Sequence, residues 1–292
     1  MNESFKKKIE LIKDLKSFFC QVGLTEVFTP LLRKTCSSSM KRIQTEYGTY
    51  LRNCQEMQLR LMMEYYGDVF EIGPSFRPEE HEDNLHGREF TLLEAHFTSK
   101  KLEYLMEIVK RIFNEKKSDF DFCEVSVYET IKNNTGIDLR TDGLCKLVEY
   151  LEKLYPTYKY DQKFQLVNHY IHNEIEPLSR GKGVFFTQYP ACTLSLARYE
   201  DGTDEIIRRY ECFVNGIEIS NGYEYSLDLN EFVHRNKIVG MYTPEEQYME
   251  EKLRGGKLPL DVSVIGIGVE RLCMVFNNAN DIQPFLHENE IF

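Results

Sequence analysis

The densest run of side chains able to do chemistry lies between Phe70 and His96. Two segments with strand character flank a charged loop from Pro78 to Arg88. Alternation along a strand puts Glu71, Gly73, Ser75 and Arg77 on one face of the first segment. It puts Phe90, Leu92, Glu94 and His96 on one face of the second. A surface mixing arginine, glutamate, histidine and phenylalanine makes a poor core and suits a charged, planar ligand such as a nucleotide. The Arg77 guanidinium matches a phosphate or carboxylate through its bidentate fork. His86 in the loop could neutralise a terminal phosphate, and Phe90 offers a flat surface to a base. Taken singly, each has a plain structural alternative: Phe90 as core, Arg77 as a salt bridge to Glu79.

Two further groupings carry chemistry. Asn215-Gly216 joins two alternating runs, the pattern of a two-residue hairpin, in which Glu211 faces Ser220 and Glu218 faces Phe213. Glu211 and Glu218 then sit diagonally on one side, about 7–8 Å apart at the backbone. Carboxylates so close repel unless a cation lies between them, and Mg²⁺ held by a few carboxylates plus substrate phosphates meets that need; two exposed acids on a wet sheet face is the alternative. Gly266 and Gly268 precede Glu270 and Arg271 at a strand-to-helix junction. Glycines allow close approach to the backbone there, and a tight turn alone explains the pair equally well. An arginine in the first turn opposes the helix dipole, and makes sense if it neutralises a phosphate at the helix N-terminus.

The elements that position these groups read as α+β. Phe5, Ile9, Ile12, Leu15, Phe19 and Val22 recur at helical spacing before Gly23. Leu24 to Pro30 follows as an extended segment that the proline confines to an edge or an interface. A polar loop from Arg33 to Thr49 precedes a helix from Glu56 to Tyr65. Helices at Leu102–Phe113, Leu144–Leu154 and Phe164–Ile175 form a helical insertion, about 100–180, between two β-rich regions. Strands resume at Gly183–Pro190, Tyr210–Ser220 and Val262–Val269, and a helix follows from Glu270. Several antiparallel strands with helices packed on them indicate α+β rather than doubly wound α/β.

Composition bounds the function. The 292 residues are 42% hydrophobic and 28% charged, enough for a large core. No apolar run approaches the roughly 18 residues of a membrane span, and the N-terminus has no signal-peptide pattern. The 8 cysteines include no C-x-x-C pair, which favours reduced thiols in a cytoplasm over a zinc site. A net charge of −11 makes a small molecule or protein a better partner than nucleic acid, whose binding rests on basic phosphate contacts.

In this order the groupings resemble the signature motifs of class II aminoacyl-tRNA synthetases. Phe18 to Pro30 resembles motif 1, Phe76-Arg77-Pro78-Glu79 through Glu89-Phe90-Thr91 motif 2, and Gly266 to Arg271 motif 3. The likeness is to the lysyl branch, and within it to the truncated paralogues that lysylate elongation factor P. Tyr189 to Arg198 and Glu211 to Gly222 extend it over nearly the whole chain. The resemblance implies a six- or seven-stranded antiparallel catalytic sheet in one domain over residues 1–292, a homodimer, and amino-acid activation by ATP with Mg²⁺. It places Arg77 on the α-phosphate and the substrate carboxylate, Glu79 on the adenine amino group and Phe90 on its ring. His86 and Arg271 fall on the outer phosphates, Ile219 and Gly268 among the other ATP-binding positions, and Glu211 and Glu218 on Mg²⁺. Glu56 would take the substrate α-ammonium, with Glu94, His96, Asn221, Tyr223, Tyr225 and Gly266 around the amino acid.

Two departures qualify the resemblance. Motif 1 begins within the first residues, leaving no room for an N-terminal anticodon-binding domain, which with the acidic charge makes tRNA the less favoured acceptor. The family has Asn-Gly-Phe-x-Glu-Leu where this chain has Asn221-Gly222-Tyr223-Glu224-Tyr225-Ser226. Tyr225 therefore replaces the carboxylate that pairs the side-chain ammonium, unless a bulge lets Glu224 take its place. His96 replaces a tyrosine. The expectation is an amino-acid-activating enzyme of altered, lysine-like specificity that transfers to an elongation factor P-like protein lysine. The alternatives are a small tRNA or biosynthetic amide ligase using another amino acid, and a non-catalytic regulatory paralogue.

Overall fold

The computed structural model describes residues 3–36, 42–78, 83–118, 120–193 and 195–286. Helix α1 (Glu3–Val22) buries Leu11, Leu15, Phe18 and Phe19 along one stripe. It stops at Gly23, whose φ of +104° an L side chain rarely adopts. Strand β1 (Thr25–Glu26) follows, and then β2 (Leu32–Arg33) and β3 (Tyr50–Leu51) pair into a small separate ladder. Helix α2 (Glu56–Tyr66) leads into the long hairpin of β4 (Val69–Phe76) and β5 (Glu89–Thr98).

After α3 (Leu102–Glu115) and β6 (Phe122–Ser126) come the helices α4 (Val127–Thr135), α5 (Leu139–Leu154, kinked at Gly143) and α6 (Lys163–Tyr170). A π-helical turn at Ile171–Ile175 and a 3₁₀ turn at Glu176–Ser179 return the chain to the sheet. There β7 (Gly183–Pro190), β8 (Ile206–Val214) and β9 (Ile217–Glu224) run as a meander. Helices α7 (Leu229–Ile238) and α8 (Pro244–Arg254) precede β10 (Val262–Gly268), which passes directly into α9 (Val269–Phe276); α10 (Gln283–Leu286) is a last turn.

The eight-stranded sheet has the order β1-β4-β5-β10-β9-β8-β7-β6. Its inner strands are antiparallel, whereas β1 pairs with β4 and β6 with β7 in parallel. The sheet is thus mixed, not wholly antiparallel as expected. The span 100–180 is also more than an insertion, since β6 within it closes the sheet and α3 packs Leu105, Ile108 and Val109 into the core shared with α1 and α9. Only α4 to α6 stand outside the sheet order, and they pack on its other face with α2, α7 and α8.

The hairpin of β8 and β9 turns at Asn215 and Gly216, with φ of +50° and +82°, as the Asn-Gly pair requires. The register departs from expectation one step later. Phe213 faces Glu218, but Cys212 faces Ser220 and Glu211 faces Asn221, so Ile219 is an extra residue on β9. A bulge of this kind re-aims every side chain beyond it. Asn221, Tyr223 and Tyr225 come to the face carrying Glu218, and Ser220, Gly222 and Glu224 go to the other.

Candidate active site

Cross-strand partners share a face of a sheet, so the registers define rows of neighbours. One row runs Glu71, Glu94, Gly266, Asn221, Glu211 across β4, β5, β10, β9 and β8. The row on one side is Val69, His96, Val264, Tyr223, Arg209, and on the other Gly73, Leu92, Gly268. Residues over 150 positions apart in the chain meet on this surface. One half of it is covered by the helices around α2; the other opens as a cleft of roughly 570 Å³.

Arg77, Phe90, Glu218, Asn221, Gly268 and Arg271 all line that cleft. The Arg77 guanidinium lies 5.0 Å from the centre of the Phe90 ring, and the Arg77 N–H closes the hairpin on the Arg88 carbonyl at 2.8 Å. Arg271 sits in the first turn of α9 and donates to the Glu218 carboxylate at 3.1 Å and to the Leu85 carbonyl at 3.1 Å. His86 is held against the Asp83 carboxylate at 2.9 Å. The Leu85 N–H, followed by His86, lowers the Asp83 pKa. Glu79 lies outside the described residues.

The glycines of the floor answer whether a phosphate chain fits. A Cβ on Gly268 would meet nothing nearer than Arg271 at 3.8 Å, and one on Gly266 only Asn221 at 3.5 Å. Packing therefore does not demand glycine at either position. The space their missing side chains leave opens on the cleft, at the N-terminus of α9, where backbone N–H groups favour an anion.

Glu211 and Glu218 share the face, as expected, although by way of the bulge. Each already has cationic company: Glu211 is paired with Arg209 and accepts from the Tyr189 hydroxyl at 2.8 Å, and Glu218 is paired with Arg271. Burial pushes the Glu211 carboxyl up, Arg209 opposes this, and Glu218 adds to it. Two hard oxygen donors on one face, one of them desolvated, fit Mg²⁺ completed by phosphate oxygens.

Deeper along the same strands the site is dry. Glu56, the first residue of α2, accepts hydrogen bonds from the Tyr223 and Tyr225 hydroxyls, and burial raises its pKa. The Glu94 carboxylate accepts the Gln55 N–H; burial first, and then Glu56, push it up to about 8. Cys54, Glu56 and Glu94 offer ligand atoms all within 4.8 Å of one another. His96 is 0% exposed, with neither ring nitrogen hydrogen-bonded. Burial, and then Arg60, bring it down to about 3.

Glu224 does not replace the displaced carboxylate. It lies on the opposite face, where it accepts from Arg198 and Arg208 at 2.9 Å and from the Leu102 N–H at 2.9 Å. Glu71, on the expected floor, is likewise committed, to Arg52 and Thr29. The sequence reading missed Arg60, whose guanidinium carbon stands 3.8 Å from the centre of the Tyr225 ring. Its spacing from Glu56 on α2 is i, i+4, the one signal that joins the two.

These shifts set a pH dependence. The folded pKa of Glu94, about 8, lies above its ordinary 4.5, so between those values the unfolded chain binds fewer protons and stability falls as pH rises. His96 acts oppositely, its contribution growing from about pH 3 to its ordinary 6.5. Above pH 6.5 the His96 gain is complete and the Glu94 loss continues. Glu94→Gln is therefore expected to flatten the decline between pH 6.5 and 8 in urea melts of the ligand-free protein; an unchanged slope would place the titrating group elsewhere.

The fold and site together define a class II synthetase catalytic domain, and comparison with known proteins agrees. The sequence model of the family "tRNA synthetases class II (D, K and N)" matches residues 1–286, and the chain belongs to that family. Its relatives are ligases. A lysine–tRNA ligase of Helicobacter pylori (strain G27) is 30% identical over 98% of this chain, and one of Mycoplasma genitalium 27% over 97%. The chain spans only 63% and 64% of the length of those two proteins. An elongation factor P–(R)-beta-lysine ligase of Buchnera aphidicola is 28% identical over 96% of this chain and 93% of its own length.

Proposed function

We propose that this chain joins an amino acid to ATP to form an aminoacyl adenylate and passes the acyl group to a protein amine. The observation that carries this reading is the convergence of Arg77, after β4, and Arg271, after β10, on one glycine-floored cleft with Glu218 in its lining and Glu211 on the same face of the sheet. Arg77 would hold the α-phosphate and the substrate carboxylate, with adenine on Phe90 beside Ile219. Arg271, released from Glu218, would meet the outer phosphates with His86.

A carboxylate oxygen then attacks the α-phosphorus in line, the bond to the β-phosphate breaks, and pyrophosphate leaves. The chain's groups contribute position and fixed positive charge, the principal terms in such transfers. Mg²⁺ at Glu211 and Glu218 would add neutralisation of the phosphate charge. In the second half the acceptor amine attacks the acyl carbon, loses a proton, and AMP departs.

The Buchnera relative, matched over almost its full length, favours an elongation factor P-like acceptor in the cytoplasm over tRNA, as does the net charge of −11. All 8 cysteines are free, in keeping with a reducing compartment. Among the described residues no helix is long and apolar enough to cross a membrane. Phe28, 74% exposed, and Leu31 and Leu32 beside it form an apolar patch next to α1 that suits a homodimer contact. The test is amino-acid-dependent exchange of pyrophosphate into ATP by protein sedimenting at twice 34.5 kDa. A dimer with no exchange for any amino acid would instead support the regulatory reading.

A further inference from the structure

We propose that the pocket beside Glu56 takes an α-amino acid with one ammonium group and a small uncharged side chain, and rejects lysine, because the carboxylates beyond Glu56 and Glu94 are committed to protein partners. This inference rests on the activation reading and names its substrate class. Cys54, Glu56 and Glu94 converge within 4.8 Å, space for a single cation, and with the substrate carboxylate on Arg77 that cation is the α-ammonium. A second ammonium, at the end of a long side chain, would need another acidic partner further along the strands.

Among the described residues none is available there. The next row is Val69, His96, Val264 and Tyr223, all buried, and the cleft is lined along these strands only as far as Leu92, Gly266 and Asn221. Tyr225 fills the position beyond, its hydroxyl on Glu56 and its ring under Arg60. Arg60 is 0% exposed and already holds the positive charge at this end. Its Nε and Nη1 have no hydrogen-bond partner, so the deficit is of acceptors, and an arriving ammonium would meet repulsion without compensation. His96, 0% exposed, brings no negative charge to offset it. Glu224 is on the other face and Glu71 is paired with Arg52. A built-in repulsive element of this kind discriminates as strongly as an attractive one.

The space that does adjoin Glu56 lies on the side of α8. It is a small cavity bounded by Met57, Leu196 and Met241, with Arg33 in its wall. Arg33 is paired with Glu245, and Glu246 caps α8 through Thr243. Its two carboxylates, Glu56 and Glu246, already accept from Tyr223, Tyr225 and Thr243, and Arg33 and Arg42 line it as well, which favours a small apolar or neutral side chain over an ammonium.

Pyrophosphate exchange by the full chain across glycine, alanine, serine, aspartate, ornithine, lysine and β-lysine tests the proposal. The expected result is the highest kcat/KM among the small neutral amino acids, with lysine and β-lysine at least about 100-fold lower. Equal or better exchange with lysine, β-lysine, ornithine or aspartate would overturn the inference and leave the activation reading standing. No exchange with any amino acid would overturn both. Tyr225→Ala opens room over Arg60, and should raise methionine and glutamine relative to alanine about 10-fold; an unchanged ratio would show that Tyr225 does not bound the pocket. Tyr225→Phe keeps the ring and should keep the wild-type order of preference; a gain for lysine would overturn the inference.

Discussion

Replacing Arg77 with alanine is expected to lower amino-acid-dependent pyrophosphate exchange by about 10²–10³-fold, the loss typical of one donor aimed at developing charge. Arg77 emerges from the end of β4 into the cleft, with its guanidinium 5.0 Å from the Phe90 ring centre. It shares the cleft with Gly266 and Asn221, where the amino-acid carboxylate would have to lie. If it binds that carboxylate and the α-phosphate together, it fixes the attacking oxygen and the phosphorus relative to each other. Its loss should then fall on kcat as well as KM, because the interaction strengthens as charge builds on the α-phosphate. Arg77→Lys keeps the charge but not the fork, and should recover only part of the activity. Exchange within about 3-fold of wild type in Arg77→Ala would be too small for such a donor, and would move the α-phosphate toward Arg271.

Much of this arrangement was legible in the sequence, and the parts that were not share a cause. Gly23 after a helical stripe, Asn215-Gly216 between alternating runs, and the charged loop between β4 and β5 are local signals, and each element formed where they placed it. The parallel strands β1 and β6 are two and five residues long, too short for alternation to mark them, and their pairing depends on chain returning from elsewhere. The bulge at Ile219 left no glycine or proline as a sign, because the extra residue is an isoleucine that packs into the core below. Yet that one residue decides which side chains of β9 face the cleft. It brings Asn221 to 3.4 Å from Glu218, puts Tyr225 on Glu56, and turns Glu224 away. Arg60 was missed for a different reason: its stripe on α2 reads as an ordinary helix face, and only the fold reveals that this face closes over the site.

The largest effect on stability is expected beneath the cleft. Arg52 is 0% exposed; its guanidinium donates to Glu71 at 2.7 Å, to the Thr29 hydroxyl at 2.8 Å and to the Pro74 carbonyl at 2.8 Å. The other Glu71 oxygen accepts the Thr29 hydroxyl at 2.7 Å and its N–H at 3.1 Å. This network ties the segment after β1 to β4 just before the chain reaches Arg77, so it sets the position of the cleft's arginine as well as the fold. Removing one partner of a buried ion pair leaves an uncompensated charge, at a cost of about 3–5 kcal/mol, and Glu71→Ala should therefore lower the free energy of unfolding in urea by that amount. Glu71→Gln keeps an acceptor for Arg52 and should cost less. Gly73→Ala should act through the same group, because its Cβ would come within 2.4 Å of Arg52 Nη2, a contact the buried guanidinium can relieve only by leaving Glu71. If Glu71→Ala costs under about 1 kcal/mol, the value of a solvent-exposed pair, water reaches Arg52 in the variant; the loss in Gly73→Ala would then be strain alone, and the two substitutions, otherwise acting on one network and less than additive, would add.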